Sequence, residues 1–202
     1  RDERNDVATF DQFAQADWRF ADDWSLLAGL RHSRVRFRSD DRYLTAGNPD
    51  DSGAVDFERW TPVMALQWRA SPTLNLHASL GSGFETPTLV ELAYRPDGGS
   101  GLNLDLRPAR SRNLELGMKW RPRPGVSADV AVFRTATRDE LVVATNAGGR
   151  ASYANAGRSL RQGIELELEA ALGEAMSLQF AWTGLDATVR ETYLACAGAP
   201  CT

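Results

Sequence analysis

His32 and His77 are the only histidines in the 202-residue chain, and neither stands in an H-x-H or H-x-x-x-H spacing. A protein metal centre needs several clustered ligands, so these two predict none, and His77 reads as a polar residue on a strand wall. Cys196 and Cys201 are too few for a four-thiolate centre. Ser82 sits in Gly81-Ser82-Gly83, which is not the Gly-x-Ser-x-Gly spacing of a nucleophile elbow. No phosphate-binding loop, dinucleotide fingerprint or metalloprotease helix occurs either. The sequence therefore supports no catalysis, and the chemistry left to it is recognition. Arg95, Arg107, Arg110 and Arg112 lie in or at the edge of the longest polar stretch, with Tyr94 and Asn103 among them. Arginine offers a rigid donor fork and tyrosine a flat amphipathic surface, which suits capture of an anionic, partly aromatic solute. The competing reading of these residues is a solvated loop surface that also meets anionic lipid. The 27 acidic residues against 23 basic ones give a net charge of -4, which argues against a generic nucleic-acid partner.

The elements that would carry these residues are strands. Leu160, Gln162, Ile164, Leu166, Leu168 and Ala170 alternate with Arg161, Gly163, Glu165, Glu167 and Glu169, a period of two that fits one apolar and one wet face. The same alternation recurs and predicts eight antiparallel strands near 12–20, 25–38, 55–70, 73–84, 111–121, 126–144, 151–171 and 176–190. The second is imperfect: Leu26, Ala28 and Leu30 give way to Val35 and Phe37, with Arg34, Arg36 and Arg38 between. Either a bulge near His32 or Ser33 inverts the faces, or the strand has left its apolar surroundings. Short breaks at 21–24, 70–73, 121–125 and 173–175 alternate with longer polar stretches at 39–54, 85–110, 144–150 and after 190. Short turns at one end and long loops at the other are the arrangement of an outer-membrane barrel. Phe20, Trp24, Trp68 and Trp120 beside the short turns fit an interfacial girdle. A soluble sandwich would also alternate, but strands this long and connections this unequal count against it.

In a barrel, a charge aimed at lipid near the midplane costs a few kcal/mol. Leu116, Met118, Val130, Ile164, Leu166 and Leu168 are therefore expected to face lipid. Glu115, Lys119, Asp129, Arg161, Glu165, Glu167 and Glu169 are expected to face the lumen.

The stretch from Ser79 to Leu92, with Gly81, Gly83, Phe84 and Pro87, resembles the barrel segment of TonB-dependent outer-membrane receptors, where a strand ends in Gly-x-Gly-Phe-x-x-Pro before an external loop. Asn103 to Gly117, Arg138 to Val143, and Asn155 to Leu166 with Asn155, Gly157 and Gly163, resemble the same family in the same order. The resemblance implies an all-β antiparallel meander forming a sector of a barrel of roughly 22 strands around a plug domain. It also implies uptake of scarce chelated solutes such as ferric siderophores or cobalamin, energised through TonB, with any iron held by its chelator and no cofactor of the receptor's own. The implied partners are the TonB complex through the plug, the chelated metal solute, and outer-membrane lipid with its lipopolysaccharide. A passive or adhesive barrel and a soluble all-β binding domain are the alternatives.

Arg1-Asp2-Glu3-Arg4 is no signal sequence and Leu194 to Thr202 reads as the middle of a loop, so the chain is read as a fragment; against the family's pattern, residues 1–202 read as one partial barrel domain, without plug, TonB box or closing strands. The glycines and Pro87 are expected to shape a strand-to-loop exit. The lumenal charges are expected to meet the plug. Passage through an oxidising periplasm implies a local disulfide between Cys196 and Cys201.

Overall fold

A computed structural model describes residues 2–48, 50–173 and 175–196. Eight strands follow one another in a single antiparallel meander, each bonded only to its sequence neighbours. They are β1 Glu3–Ala21, β2 Trp24–Asp41, β3 Gly53–Ser71, β4 Leu74–Glu85, β5 Ala109–Arg123, β6 Val126–Ala147, β7 Arg150–Ala171 and β8 Ser177–Val189, with one short helix, α1 Leu89–Leu92, in the longest connection. Among the described residues no helix is long and apolar enough to cross a membrane.

The register aligns the alternation across all eight strands. One lateral row runs Ala78, Leu116, Val132, Ile164, Gly184, and the next runs Leu76, Met118, Val130, Leu166, Trp182. Leu116, Met118, Val130, Ile164, Leu166 and Leu168 thus share one face, and Glu115, Lys119, Asp129, Glu165, Glu167 and Glu169 share the other. Only the first of these faces can meet hydrocarbon. At the short-turn end Trp24 pairs with Trp68 in register, their rings stacked at 5.4 Å and 8°, and Phe20 joins them 6.4 Å from Trp24.

The structure corrects two sequence expectations and decides between the two alternatives left open for β2. First, β1 begins at Glu3 rather than near residue 12, because Glu3 to Asp11 carries too many charges to show an apolar face, yet pairs residue by residue with Ser33 to Asp41. Secondly, β2 has no bulge near His32 or Ser33; its register with β1 and β3 is continuous there. The surroundings change instead. Past Leu30 the odd residues turn apolar because a lid covers that face: Phe37 and Phe57 are buried together with Leu92, Leu102 and Leu106 of the 86–108 loop. Arg34, Arg36 and Arg38 keep the outward parity and stand beyond the apolar band. Thirdly, residues 144–150 do not form a long loop. The strands β6 and β7 run on to meet at Gly148-Gly149, whose φ values of 59° and 75° suit a two-residue hairpin turn.

Pairing between β3 and β4 stops at Val63 opposite Gly81. The next residue along β3 is Pro62, which has no N–H to donate. Beyond it β3 bonds only to β2, and a split opens in the wall.

Candidate functional site

The loop from Thr86 to Pro108 is folded back onto the wall and fastened there. Thr88 caps α1 through a capping box: its backbone N–H donates to Glu91 Oε2 at 2.7 Å and its hydroxyl accepts from the Glu91 N–H at 3.4 Å. Leu92 is fully buried, and its carbonyl accepts from the Asn103 N–H at 2.7 Å. The Asn103 side chain donates to the Tyr153 carbonyl on β7 at 3.0 Å. Asn155, two residues along β7, clasps the end of the loop. Its amide nitrogen donates to the carbonyls of Arg107 and Asp139, each at 2.7 Å, and its oxygen accepts from the Arg107 N–H at 2.9 Å. Asp139 is the one non-glycine residue with positive φ among the described residues, at 57°. Its largely buried carboxylate takes Arg107 at 2.8 Å and Arg110 at 2.5 Å. The four stretches that carry the family resemblance meet at this fastening.

Five of the six expected ligand-binding residues lie in or beside the fastened loop, and they are not equivalent. Asn103 is 5% exposed and committed to the wall. Tyr94 lies under the Arg150 guanidinium, 5.4 Å from the ring centroid. Arg95 forks onto Asp97 at 3.0 Å and reaches Asp105 at 4.0 Å; the Arg95 hydrogen bonds and the Gly99 N–H hold the Asp97 carboxyl below its usual range. Arg107 keeps 65% of its side chain exposed and Arg110 keeps 45%. Arg112 stands apart on the outer face, in register with Ser82 and Ala136.

The motif glycines divide in the same way. A Cβ on Gly163 would strike the Gly184 carbonyl and come within 2.8 Å of the Phe133 ring, and one on Gly157 would strike the Glu191 carboxylate. Gly83 lies against the Ser111 hydroxyl, whereas a Cβ on Gly81 would meet only ordinary contacts, Val63 at 3.7 Å. Phe84 packs against the lid core and Pro87 is fully buried.

On the lumenal face His77 Nε2 lies 3.0 Å from Glu115 Oε1, and the imidazole spreads over Gly117. Lys119 and Arg121 both reach Asp129, at 4.0 and 2.5 Å. Glu169 accepts from Ser127 and Gln179, and Arg161 pairs with Glu140. His32 lies on the other face, its ring 4.6 Å from Trp60. Among the described residues no three His, Cys, Asp or Glu side chains cluster as a metal site. Cys201 lies outside the described residues, so the Cys196–Cys201 pairing does too. Sequence reasoning missed Asp139 and Glu140 as individual anchors. Their signals were an acidic pair interrupting the apolar alternation of β6 and their place in the Arg138 to Val143 stretch that resembles the family.

Comparison with known proteins agrees with this architecture. Residues 1–195 match the family described as TonB dependent receptor-like, beta-barrel. The vitamin B12 transporter BtuB of Vibrio vulnificus is 31% identical over 119 residues, 58% of this chain and 18% of BtuB. The siderophore receptor PiuA of Acinetobacter baumannii superposes with a TM-score of 0.78 at 18% identity, over 100% of this chain and 28% of PiuA. The Serratia marcescens hemophore receptor HasR, solved with its hemophore HasA and heme, gives 0.72 at 21% identity over 89% of this chain and 34% of HasR. The chain thus spans about a third or less of the length of these proteins. Long loops at one end, an aromatic girdle at the other and a family match over nearly every residue place the chain in the TonB-dependent receptor family, as eight antiparallel strands of an outer-membrane β-barrel wall.

Proposed function

We propose that the intact protein is an outer-membrane receptor and transporter that captures scarce chelated solutes, ferric siderophores foremost, and imports them with energy drawn through TonB. The observation that carries this reading is the fixed mouth rich in partly exposed guanidinium groups. The loop bearing Tyr94, Arg95 and Arg107 is strapped to β6 and β7 by Asn103, Asp139 and Asn155, and Arg110 at the start of β5 shares Asp139 with Arg107, so these guanidinium groups are held in place before an anionic chelate arrives. Iron stays in its chelator, and the receptor contributes neither a side chain bound to the metal nor a cofactor. A plug domain fills the lumen against Glu115, Lys119, Arg161, Glu165, Glu167 and Glu169, and couples the barrel to the TonB complex. A Cys196–Cys201 disulfide pins the external end after β8. The identity shared with BtuB favours a second reading, in which the solute is a corrinoid.

The test is equilibrium binding of the full-length receptor to a ferric catecholate, a ferric hydroxamate, cobalamin and hemin, followed by uptake in cells with and without TonB. Tight binding of one ferric chelate and TonB-dependent uptake are expected. Cobalamin binding alone would select the second reading. Uptake indifferent to TonB would replace both with a passive barrel.

A further inference from the structure

At the long-loop end of the wall, on the face that points inward, two carboxylates stand directly opposite each other. Glu3 of β1 pairs with Asp41 of β2 in register, and Asn5 pairs with Ser39 on the same face two residues further down. Like charges so placed destabilise a sheet unless a counter-charge lies between them. A third carboxylate, that of Asp51, joins them where the 42–52 loop returns to the wall. The three line one cavity of about 130 Å³ with Ser39 and Tyr43, closed by Gly101 and Leu102 of the lid, and no basic residue lines it. The neighbouring arginines alternate to the other face and are paired there, Arg4 with Asp6 and Arg38 with Asp40.

Two neutral oxygens beside the carboxylates point to a ligand. Ser39 is 3% exposed and lines the cavity, yet its hydroxyl has no hydrogen-bond partner among the described residues. The Oδ1 of Asn5 is sealed from solvent with no partner either, while its amide nitrogen donates to Glu3 Oε1 at 3.2 Å. An amide oxygen only accepts, so what satisfies it is a donor or a cation. The Asp51 carboxylate makes no ion pair and accepts no hydrogen bond among the described residues; it rests against Gly101, where a Cβ would come within 3.4 Å of its Oδ1. Asp41 is oriented by the loop itself, accepting from the backbone N–H groups of Tyr43 at 3.0 Å and Asp51 at 3.4 Å.

This set is all oxygen, without imidazole or thiolate, and such a set selects a hard cation. The carboxylates ring the cavity without converging on one point, which leaves room for water in the ion's shell. Calcium takes roughly six to eight oxygens in flexible geometry, where magnesium demands a near-ideal octahedron. We propose that this cavity is a calcium site, tying the ends of β1 and β2 and the 42–52 loop to Gly101 and Leu102 of the lid. It lies at the external end, within reach of ions in the medium, and goes beyond the transport reading, since it depends on neither the solute nor TonB.

The test is equilibrium dialysis of radioactive calcium against the full-length receptor after chelator treatment, beside the variants Asp51→Asn and Ser39→Ala. Wild type should bind calcium with a dissociation constant of about 0.1 to 1 mM, the range of extracellular calcium modules, and magnesium more weakly. Asp51→Asn should bind calcium at least about tenfold more weakly, and Ser39→Ala, which keeps every carboxylate, should fall between the two. Terbium, a luminescent stand-in for calcium, should be sensitised through the Tyr43 ring at this cavity and lose that emission in Tyr43→Leu. Should Asp51→Asn fail to assemble as a heat-modifiable barrel, Ser39→Ala and the terbium signal decide. An identical constant in wild type and the assembled variants, or full terbium emission without Tyr43, would place the ion elsewhere and overturn the site. No calcium bound at about 10 mM, well above that range, would leave the cavity to water and overturn it as well. Equal affinity for magnesium would overturn the choice of calcium.

Discussion

At the scale of single residues, Asn155 is the closest thing to a keystone, because one side chain makes three hydrogen bonds to two separate backbone segments. Replacing it by alanine removes all three bonds at a partly exposed site, where a hydrogen bond contributes about 0.5 to 1.5 kcal/mol net. The Asn155→Ala receptor should assemble as a heat-modifiable barrel yet be cut faster within residues 86–108 by a probe protease. Unchanged cleavage would mean the loop is held by its apolar core alone. A second residue gives a pH signature. Glu140 lies beyond the membrane band; partial burial works to raise its pKa, but hydrogen bonds from Arg161 and Ser159 and the Arg161 charge outweigh it and hold the carboxyl below its ordinary 4.5. A carboxyl depressed on folding contributes stability that is complete above its unfolded pKa and is lost as pH falls through the lower folded one. The wild-type midpoint should therefore drop more steeply below about pH 4.5 than that of Glu140→Gln, and parallel profiles would remove Glu140 from the account. Asn155 and Gly157 were legible in the sequence through their motif. Asp139 was not, because its function depends on a left-handed backbone conformation that no periodicity announces.

At the scale of elements, alternation was legible wherever environment and strand agreed, as in β5 and β7, and illegible where they parted. The first nine residues of β1 and the last turns of β6 and β7 rise above the lipid, where neither face need be apolar, so a hydrophobic pattern had nothing to report. In β2 the pattern was real but inverted, since the lid moved the apolar demand to the other face. The parity of β7 makes a direct prediction. With its register fixed on both sides, a spin label at Leu168 should be quenched by oxygen dissolved in lipid and one at Glu167 by a water-soluble relaxer. The reverse pattern would turn the wall inside out. Gly163 belongs to the same strand: a valine there would press on the Gly184 carbonyl and the Phe133 ring. Such overpacking costs typically about 1 to 3 kcal/mol, visible as a lower midpoint of barrel unfolding.

At the scale of the whole molecule, the eight strands form an open sheet whose two edges, β1 and β8, bond to nothing beyond themselves among the described residues. One face carries Trp18 at 62% exposure, Trp68 at 39%, Trp120 at 44% and Trp182 at 50%, an apolar patch far larger than water tolerates on a monomer. The other face is lined with carboxylates and pairs of opposite charge, so the sheet cannot fold over to bury the apolar side against itself without burying those charges. Two free edges add a ladder of unpaired backbone groups ready to bond a neighbouring chain. These features give one expectation for the 202-residue chain by itself: it should aggregate on refolding into buffer and remain dispersed only in detergent or lipid. Even there it should show none of the heat-modifiable gel shift of a closed barrel, since closure requires partners for β1 and β8. Sedimentation velocity of the refolded chain with and without detergent measures the first, and gel mobility with and without heating, beside the full-length receptor as reference, measures the second. A monodisperse, folded monomer in plain buffer would show that the apolar face is buried within a soluble β fold, and the membrane wall would fall with it.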